Sequence, residues 1–295
     1  MRKKINRGDL SFHILGNLVI WFVAIMCVLP FLLLVSGSFS QEADITLYGF
    51  TVIPKNFSLD AYRYLLSSPG KIISGYKASL IVTVIGTCVG LFVTAMTGYV
   101  LARKEFLLAD KFAFFIYFTT LFSGGLLPYY MLMVRYLQLK NTWFALILPG
   151  LLGPFNIIIM KNFVKGIPHE ICESALVDGA GEFQIFTKLY LPIMKPALAT
   201  VGMFIALAYW NNWSNSMLYA DRESLHSLQY ILYRMSNGLA NIADNPDAAL
   251  SEVSIMPTQT VKMAMTIIAT GPIILLYPLV QKYFVQGMTV GAVKG

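Results

Sequence analysis

Two acids, two glycines and several small side chains make up one polar stretch near the middle of the chain, ESALVDGAG, at residues 173–181. Glu173 and Asp178 carry charge, but the stretch contains no histidine, lysine or cysteine to complete an acid–base or nucleophilic pair. Highly apolar segments flank it on both sides. The residue types therefore favour a binding surface over a catalytic centre.

The other residues that could do chemistry are isolated from one another. The three histidines, His13, His169 and His226, form no HExxH pattern. Cys27, Cys88 and Cys172 lie too far apart in the sequence for a CxxC pair, and we expect them to be small buried hydrophobic side chains. We therefore predict that the chain binds no metal.

The composition is that of a membrane protein. Hydrophobic residues make up 57% of the chain, charged residues 13%, and the mean hydropathy is +0.65, whereas soluble domains carry roughly 25% charged residues. The net charge of +7 comes from Lys and Arg scattered near the ends of apolar segments. That distribution indicates membrane topology and argues against a nucleic-acid partner.

Apolar stretches of span length predict an all-α, polytopic membrane protein with six transmembrane helices. They lie at 13–36, 76–101, 112–136, 142–164, 196–218 and 261–284. The first follows MRKKINRGD and resembles a signal peptide, with Ser36-Gly37-Ser38 as a possible cleavage site. It is longer than the apolar core of about 7–15 residues that signal peptides use, so we predict an uncleaved first helix.

Basic residues in the connections predict that both termini are cytoplasmic, although Arg135 and Lys140 argue the other way. The residues placed inside are Arg2, Lys3, Lys4, Arg7, Arg103, Lys104, Lys111, Lys161, Lys165, Lys188, Lys195, Lys282 and Lys294. Only 165–195 is then a long cytoplasmic segment. The chain has no GxxxxGK[ST] phosphate loop, so its source of energy must be another chain.

Two features within the spans concern packing. Gly86 and Gly90 form a GxxxG pair that lets a neighbouring helix approach closely. The run from Ser123 to Pro128 should break or kink the third span, either for packing or beside a water-lined cavity.

The segment 165–195 is predicted to form a helix, a tight turn and a second helix. Pro168 suits the first turn of a helix over 168–178, and Gly179 suits its C-terminal cap. The second helix, over 182–190, should end at Leu191-Pro192. The alternative is a surface hairpin that merely connects two spans.

The stretch ESALVDGAG followed by LYLP resembles the cytoplasmic loop signature of ABC importer permeases. That pattern is Glu-Ala-Ala, three residues, Gly, nine residues, then Ile-x-Leu-Pro. Glu173, Ala175, Gly179, Leu191 and Pro192 fall on it, while Ser174 and Leu189 depart mildly. The chain as a whole is similar to carbohydrate permeases of the maltose type, especially the branch for oligosaccharides and polysaccharides. That similarity rests on LFSGGLLPYY, NTWFALILPG, WNNW and the final GMTVGAVKG.

The resemblance implies a single permease domain over 1–295, in a bacterial inner (cytoplasmic) membrane. Its partners would be a second permease as a heterodimer, two ATPase subunits that bind ATP and Mg, and an extracellular sugar-binding protein. The chain itself would be no enzyme and would bind no cofactor. Coupling to the ATPases would fall on Glu173, Ser174, Ala175, Asp178, Gly179, Leu191 and Pro192, and the tail with Gly291 and Lys294 would reach the ATPase interface. A solvated C-terminus is the alternative for that tail.

The sugar pathway is predicted from side chains that suit hydroxyl groups and pyranose rings. These are Trp210, Asn211, Asn212, Trp213, Tyr129, Tyr130 and Asn156. Interfacial aromatic belts and asparagines that join helices would explain the same residues. A non-sugar ABC permease, a secondary transporter and a membrane-embedded enzyme are the alternatives for the whole chain. The last two would need ionisable groups inside the spans, and the predicted spans have no interior Asp or Glu.

Overall fold

A computed structural model describes residues 7–67, 69–244 and 258–292. Across these ranges the chain is helical, apart from turns and an isolated β-bridge between Ser40 and Phe57. In the first part of the chain the helices are α1 (Arg7–Ser38), α2 (Glu42–Tyr48), α3 (Asp60–Leu65), α4 (Pro69–Ala102), α5 (Ala109–Leu121), α6 (Leu126–Met131), α7 (Trp143–Ile147) and α8 (Pro154–Lys165). They continue with α9 (Glu170–Val177), α10 (Glu182–Ile185), α11 (Leu191–Ile193), α12 (Lys195–Trp210), α13 (Ser214–Tyr219), α14 (Leu228–Asp244) and α15 (Gln259–Ala292).

Within the described residues, two helices are long and apolar enough to span a membrane unaided. They are the His13–Ser38 part of α1 and the whole of α4. Three pairs of segments are each a bent span or a re-entrant loop: Ala109–Leu121 with Leu126–Tyr136 (115°), Trp143–Gly150 with Pro154–Lys165 (52°), and Glu182–Ile193 with Lys195–Trp210 (85°). Counting each pair as one span gives up to five spans by length and composition. The predicted sixth span at 261–284 lies within α15 and is not counted among these five. A total of six therefore stays a prediction.

The predicted break in the third span is confirmed. Helix α5 ends at Leu121, the following residue, Phe122, is extended, and Gly125 has a φ of +87°, which a glycine adopts without steric cost. Pro128 then lies within the first turn of α6, where its missing N–H is tolerated. The backbone therefore turns sharply between α5 and α6.

The predicted fifth span, 196–218, differs from the structure because its helix stops early. Helix α12 ends at Trp210, and a new helix, α13, begins at Ser214. The side-chain oxygen of Asn212 accepts the backbone N–H of Asn215 at 2.9 Å, which starts α13 in the manner of a helix cap.

The chain divides into two compact units, of which the first comprises Met1–Pro69 and Met235–Gly271. Within it, the Glu42 carboxylate accepts the backbone N–H groups of Gln259 at 2.7 Å and Thr260 at 2.9 Å, at the start of α15. It also accepts the hydroxyls of Thr258 at 3.2 Å and Thr260 at 2.7 Å. A carboxylate at this helix end satisfies otherwise unpaired N–H groups and suits the helix dipole.

The second unit comprises Gly70–Arg234 and Pro272–Gly295, and α4 packs through its glycines within it. A Cβ at Gly86 would lie 2.6 Å from the Tyr209 ring of α12, and one at Gly98 would lie 2.8 Å from the Met160 Cβ of α8. At Gly90, the second glycine of the predicted GxxxG pair, a Cβ would lie 3.1 Å from the Leu151 carbonyl oxygen, so the expected close approach is confirmed at both Gly86 and Gly90. The expectation of buried cysteines is confirmed for Cys172 but is wrong for Cys27 and Cys88, which are exposed on the chain.

Candidate functional site

The helix and glycine turn expected in the 165–195 segment are present. Helix α9 runs over Glu170–Val177, two residues inside its predicted start. Gly179 has a φ of +81°, its N–H donates to the Leu176 carbonyl at 3.0 Å, and the Ala180 N–H donates to the Ala175 carbonyl at 2.9 Å. This pair of bonds is the Schellman cap, which fixes the end of a helix and requires the left-handed conformation that glycine adopts easily. The end of α9 is therefore rigidly defined.

The second arm differs from the prediction, because Leu191-Pro192 does not end it. Helix α10 continues through a π-helical turn, Phe186–Tyr190, into α11, and the sharp bend follows at Met194. The Leu191 N–H donates to the Phe186 carbonyl five residues earlier. Pro192 then occupies the N-terminal end of the next helical turn, where no N–H is needed.

The two arms bury one face and expose the other. Cys172, Ile185, Phe186 and Tyr190 are buried in the core of the second unit. On the outer face, Val177 is 87% exposed and Phe183 is 65% exposed. Glu173, Ser174, Asp178 and Pro192 are exposed, whereas Ala175 is buried and Leu191 half-buried. Nothing lies within 4 Å of a Cβ built at Gly179 or Gly181. The turn therefore stands open, with two large apolar side chains beside it.

An arginine at the end of α4 contacts the buried face of the 165–195 segment. The Arg103 side chain is 7% exposed, and its guanidinium contacts Glu182 at 2.6 Å and Glu105 at 3.3 Å. It also donates to the Sγ of Cys172. Tyr99, one turn earlier in α4, donates its hydroxyl to Glu182 at 2.6 Å.

The charge of Arg103 is maintained despite its burial. Burial alone would lower the pKa of the guanidinium, but Tyr99, Cys172 and Glu182 outweigh that effect, so the net pKa of Arg103 is raised. Next to it, the Nε2 of His169 lies 3.3 Å from a Glu105 oxygen and 3.7 Å from a Glu173 oxygen. The carboxylates of this cluster thus surround two basic side chains.

The structure gives the WNNW residues very different surroundings. Trp210 is buried, and its ring centroid lies 6.2 Å from that of Tyr76. Trp213 stacks on Tyr233, with centroids 4.2 Å apart, so one face of its indole is covered. Asn211 is exposed.

Asn212 lines a small, largely apolar cleft in the second unit, to which Ser79, Asn215, Ser216 and Ser227 contribute the other polar side chains. Its side-chain oxygen already accepts bonds from the backbone of Asn215 and the hydroxyl of Ser214. Asn212 therefore shapes the turn between α12 and α13, whatever else it contacts.

The remaining pathway candidates are dispersed in the second unit. Tyr130 stacks on Tyr219 with centroids 5.9 Å apart, and its neighbour Tyr129 is 41% exposed. Asn156 is half-buried in the first turn of α8. In the predicted tail, Gly291 lies in the last turn of α15, while Lys294 lies outside the described residues.

A sequence profile described as "Binding-protein-dependent transport system inner membrane component" matches residues 75–290. The chain belongs to this family of membrane permeases. The permease is 38% identical to Protein LplC of Bacillus subtilis over 284 residues, which cover 96% of this chain and 95% of that protein. It is also 38% identical to the polygalacturonan/rhamnogalacturonan transport system permease protein YtcP of the same organism, with 92% and 94% covered.

A solved structure of similar fold is a chain of a bacterial ABC transporter involved in the import of the acidic polysaccharide alginate. It superposes on the permease with a TM-score of 0.80 at 29% identity, over 95% of the permease and 99% of that chain. The expected family and membrane permease fold are thereby confirmed. The chain is a transport subunit of a cell membrane.

Sequence reasoning missed the inner contacts of the 165–195 segment. Arg103 was counted only as a topological charge, and Tyr99, Glu182, Val177 and Phe183 were not assigned a role at the site. One available signal was an arginine directly after a long apolar helix, in a chain with very few acids that could neutralise it. The pairing itself joins residues 79 positions apart, which no local pattern reveals.

Proposed function

We propose that this permease forms half of the membrane pathway of an ABC importer for a carbohydrate, in particular an oligosaccharide or polysaccharide. One observation carries the proposal: relatives covering nearly the whole chain bear names of polymeric carbohydrates. They include YtcP and, at 28% identity, the arabinooligosaccharides permease AraQ of Halalkalibacterium halodurans. The alginate importer extends this pattern to a solved structure.

The rest of the assembly follows from the family. A binding-protein-dependent system has partner subunits, and we infer a second permease in a heterodimer, two ATPase subunits that hold ATP and Mg, and an extracellular sugar-binding protein. The permease itself acts as one domain over 1–295, without its own nucleotide site. Its N- and C-termini and the 165–195 loop lie in the cytoplasm, and Gly291 and Lys294 extend toward the ATPases.

The surface of the 165–195 loop supports ATPase docking. Val177 and Phe183 present apolar area at the open glycine turn, and aromatic or aliphatic anchors of this kind dominate protein interfaces when a partner pocket receives them. Glu173 adds an exposed carboxylate for basic groups of the partner. The Schellman cap keeps α9 rigid, so a push on the turn displaces the helix as a body.

For the sugar pathway, the surroundings favour Asn211 and the cleft around Asn212 over the two tryptophans. Trp210 is buried, and Trp213 already stacks on Tyr233. Around the cleft, Ser79, Asn212 and Asn215 already bond to backbone groups. The exposed Asn211 amide can exchange hydrogen bonds with sugar hydroxyls. Tyr129, Tyr130 and Asn156 remain secondary candidates.

The experiment that tests the substrate class uses the complete importer in nanodiscs with its binding protein. ATP hydrolysis is measured with oligogalacturonates, arabino-oligosaccharides, alginate oligomers and, as a non-sugar comparison, a peptide mixture. We expect stimulation by at least one of the oligosaccharides and none by peptides. If only the peptides stimulate ATP hydrolysis, the substrate is not a carbohydrate and the proposal is wrong.

A further inference from the structure

Arg103 differs from the basic residue beside it in a way that topology does not explain. Lys104 is exposed, as expected of a charge that marks the end of a span, whereas the Arg103 side chain is 7% exposed. A charge this deeply buried is stable only where partners compensate it. Those partners are Glu105 in its own turn and Cys172 and Glu182 in the 165–195 loop.

Aromatic contacts reinforce the same junction. The Tyr99 ring lies between Phe186, with centroids 5.3 Å apart, and Tyr190, with centroids 4.8 Å apart. The Tyr99 hydroxyl and the Arg103 guanidinium share the two oxygens of Glu182. Both arms of the loop therefore hold the end of α4, the first through Cys172 and the second through Glu182, Phe186 and Tyr190.

Helix α4 has no direct chain connection to this loop. The chain leaves α4 at Ala102 and enters the loop only after α5, α6, α7 and α8. The loop is covalently joined to α8 on one side and, through α10 and α11, to α12 on the other. Gly98 and Gly86 of α4 pack against Met160 of α8 and Tyr209 of α12. The junction at Arg103 closes this set of three helices at the loop.

We propose that Arg103 is a positioning residue that locks the 165–195 loop to the end of α4, so that displacement of the loop moves α4 together with α8 and α12. This inference rests on the proposed docking of the loop on an ATPase. The guanidinium suits the role because its planar fork reaches several acceptors at once, which a lysine ammonium cannot do in the same geometry.

The test compares hydrogen exchange in the complete importer, without nucleotide and trapped with ATP and vanadate. Peptides covering 165–195 report on the loop, and peptides covering 99–105 report on the end of α4. In the unaltered permease both should change their exchange on trapping. In R103Q the loop should still respond, while the nucleotide response at 99–105 is lost and its amides exchange about tenfold faster in both states, since charge-assisted bonds have been removed.

Four further variants sharpen the comparison. K104Q removes a neighbouring exposed charge and should behave as the unaltered permease. E182Q should change the hydrogen exchange at 99–105 in the same direction as R103Q. The R103Q/E182Q double variant should exchange no faster at 99–105 than R103Q, because the two residues act as one contact. R103K should restore part of the response.

The outcomes separate this inference from the proposed function. If the loop itself does not respond to ATP and vanadate in the unaltered importer, the docking proposal fails. If the loop responds and R103Q and E182Q leave the response at 99–105 unchanged, the docking proposal stands and the role of Arg103 is refuted. If R103Q does not assemble, the response of E182Q at 99–105 decides whether the contact matters. The Glu182 side chain is 56% exposed, so a glutamine is tolerated at this position.

Discussion

Replacement of Gly179 separates the backbone requirement of the loop from its docking role. The residue has a φ of +81° and nothing within 4 Å of a built Cβ. A side chain therefore meets no obstacle within the permease, but it must adopt a left-handed conformation. For a β-branched residue this conformation costs about 1–3 kcal/mol, while asparagine adopts it more readily.

Gly181 supplies the matched control. It too has nothing within 4 Å, but its φ of −73° and ψ of 155° suit any residue. Gly181→Ala should therefore leave the loop of the isolated permease unchanged. Gly179→Val should raise the rate of hydrogen exchange at the end of α9 by about 5- to 150-fold, the equivalent of that strain. For Gly179→Asn, the rate of hydrogen exchange at the end of α9 should lie between the rates of these two variants.

The docking role is measured with the same variants in the complete importer. Gly179→Val and the bulkier Gly179→Trp should lose ATPase subunits on purification, because the side chain fills the open turn where the partner is expected to approach. Gly179→Asn tests the cause: if backbone strain alone matters, it retains the ATPases better than Gly179→Val. Normal co-purification and normal ATP hydrolysis for both Gly179→Val and Gly179→Trp would refute the loop assignment.

Three other predictions address the fold and the pathway. Glu42→Ala should lower the free energy of unfolding by about 1–2 kcal/mol, because the N–H groups at the start of α15 lose the carboxylate that accepts them. The midpoint of thermal unfolding should drop, whereas the control Glu223→Gln, at an exposed residue, should leave that midpoint unchanged. Gly98→Val should destabilise the permease by about 1–3 kcal/mol, because its side chain would overlap with Met160. Gly70→Ala in the same helix meets nothing within 4 Å and should leave stability unchanged or raise it. Equal midpoints of thermal unfolding for the two variants would contradict this packing. Asn211→Ala should reduce carbohydrate uptake with unchanged assembly. Asn212→Ala should reduce uptake and thermal stability together, because the Asn212 side chain also accepts the Asn215 N–H at the start of α13. Unchanged uptake kinetics in both variants would assign these asparagines to packing alone.

The cap of the first helix in the 165–195 loop can be predicted from the sequence because its signal has a single physical meaning. A glycine after an amphipathic turn predicts a left-handed cap, and Gly179 has that conformation. Proline predicts the end of a helix, but Pro192 lies at the start of a helical turn. The preceding π-helical turn changes the register of hydrogen bonds, and nothing in a single sequence announces such a turn.

Tertiary pairings decided the rest. Hydropathy located the apolar segments but could not show that α5 and α6 meet at 115°, or that α12 stops at Trp210. The chemistry of the two WNNW tryptophans predicts that they contact sugar. In the structure their rings pack against Tyr76 and Tyr233. Arg103 was invisible as a site residue for the same reason, because its partners arrive from a loop far along the chain.

ATP-driven uptake into proteoliposomes that contain the complete importer tests the central claim most directly. Labelled oligogalacturonate, arabino-oligosaccharide and alginate oligomers are supplied outside with the binding protein, and ATP is enclosed with the ATPase subunits. We predict accumulation of at least one of these sugars that requires both ATP and the binding protein. Accumulation driven by a proton or sodium gradient without ATP, or chemical conversion of the sugar by the permease alone, would contradict the account.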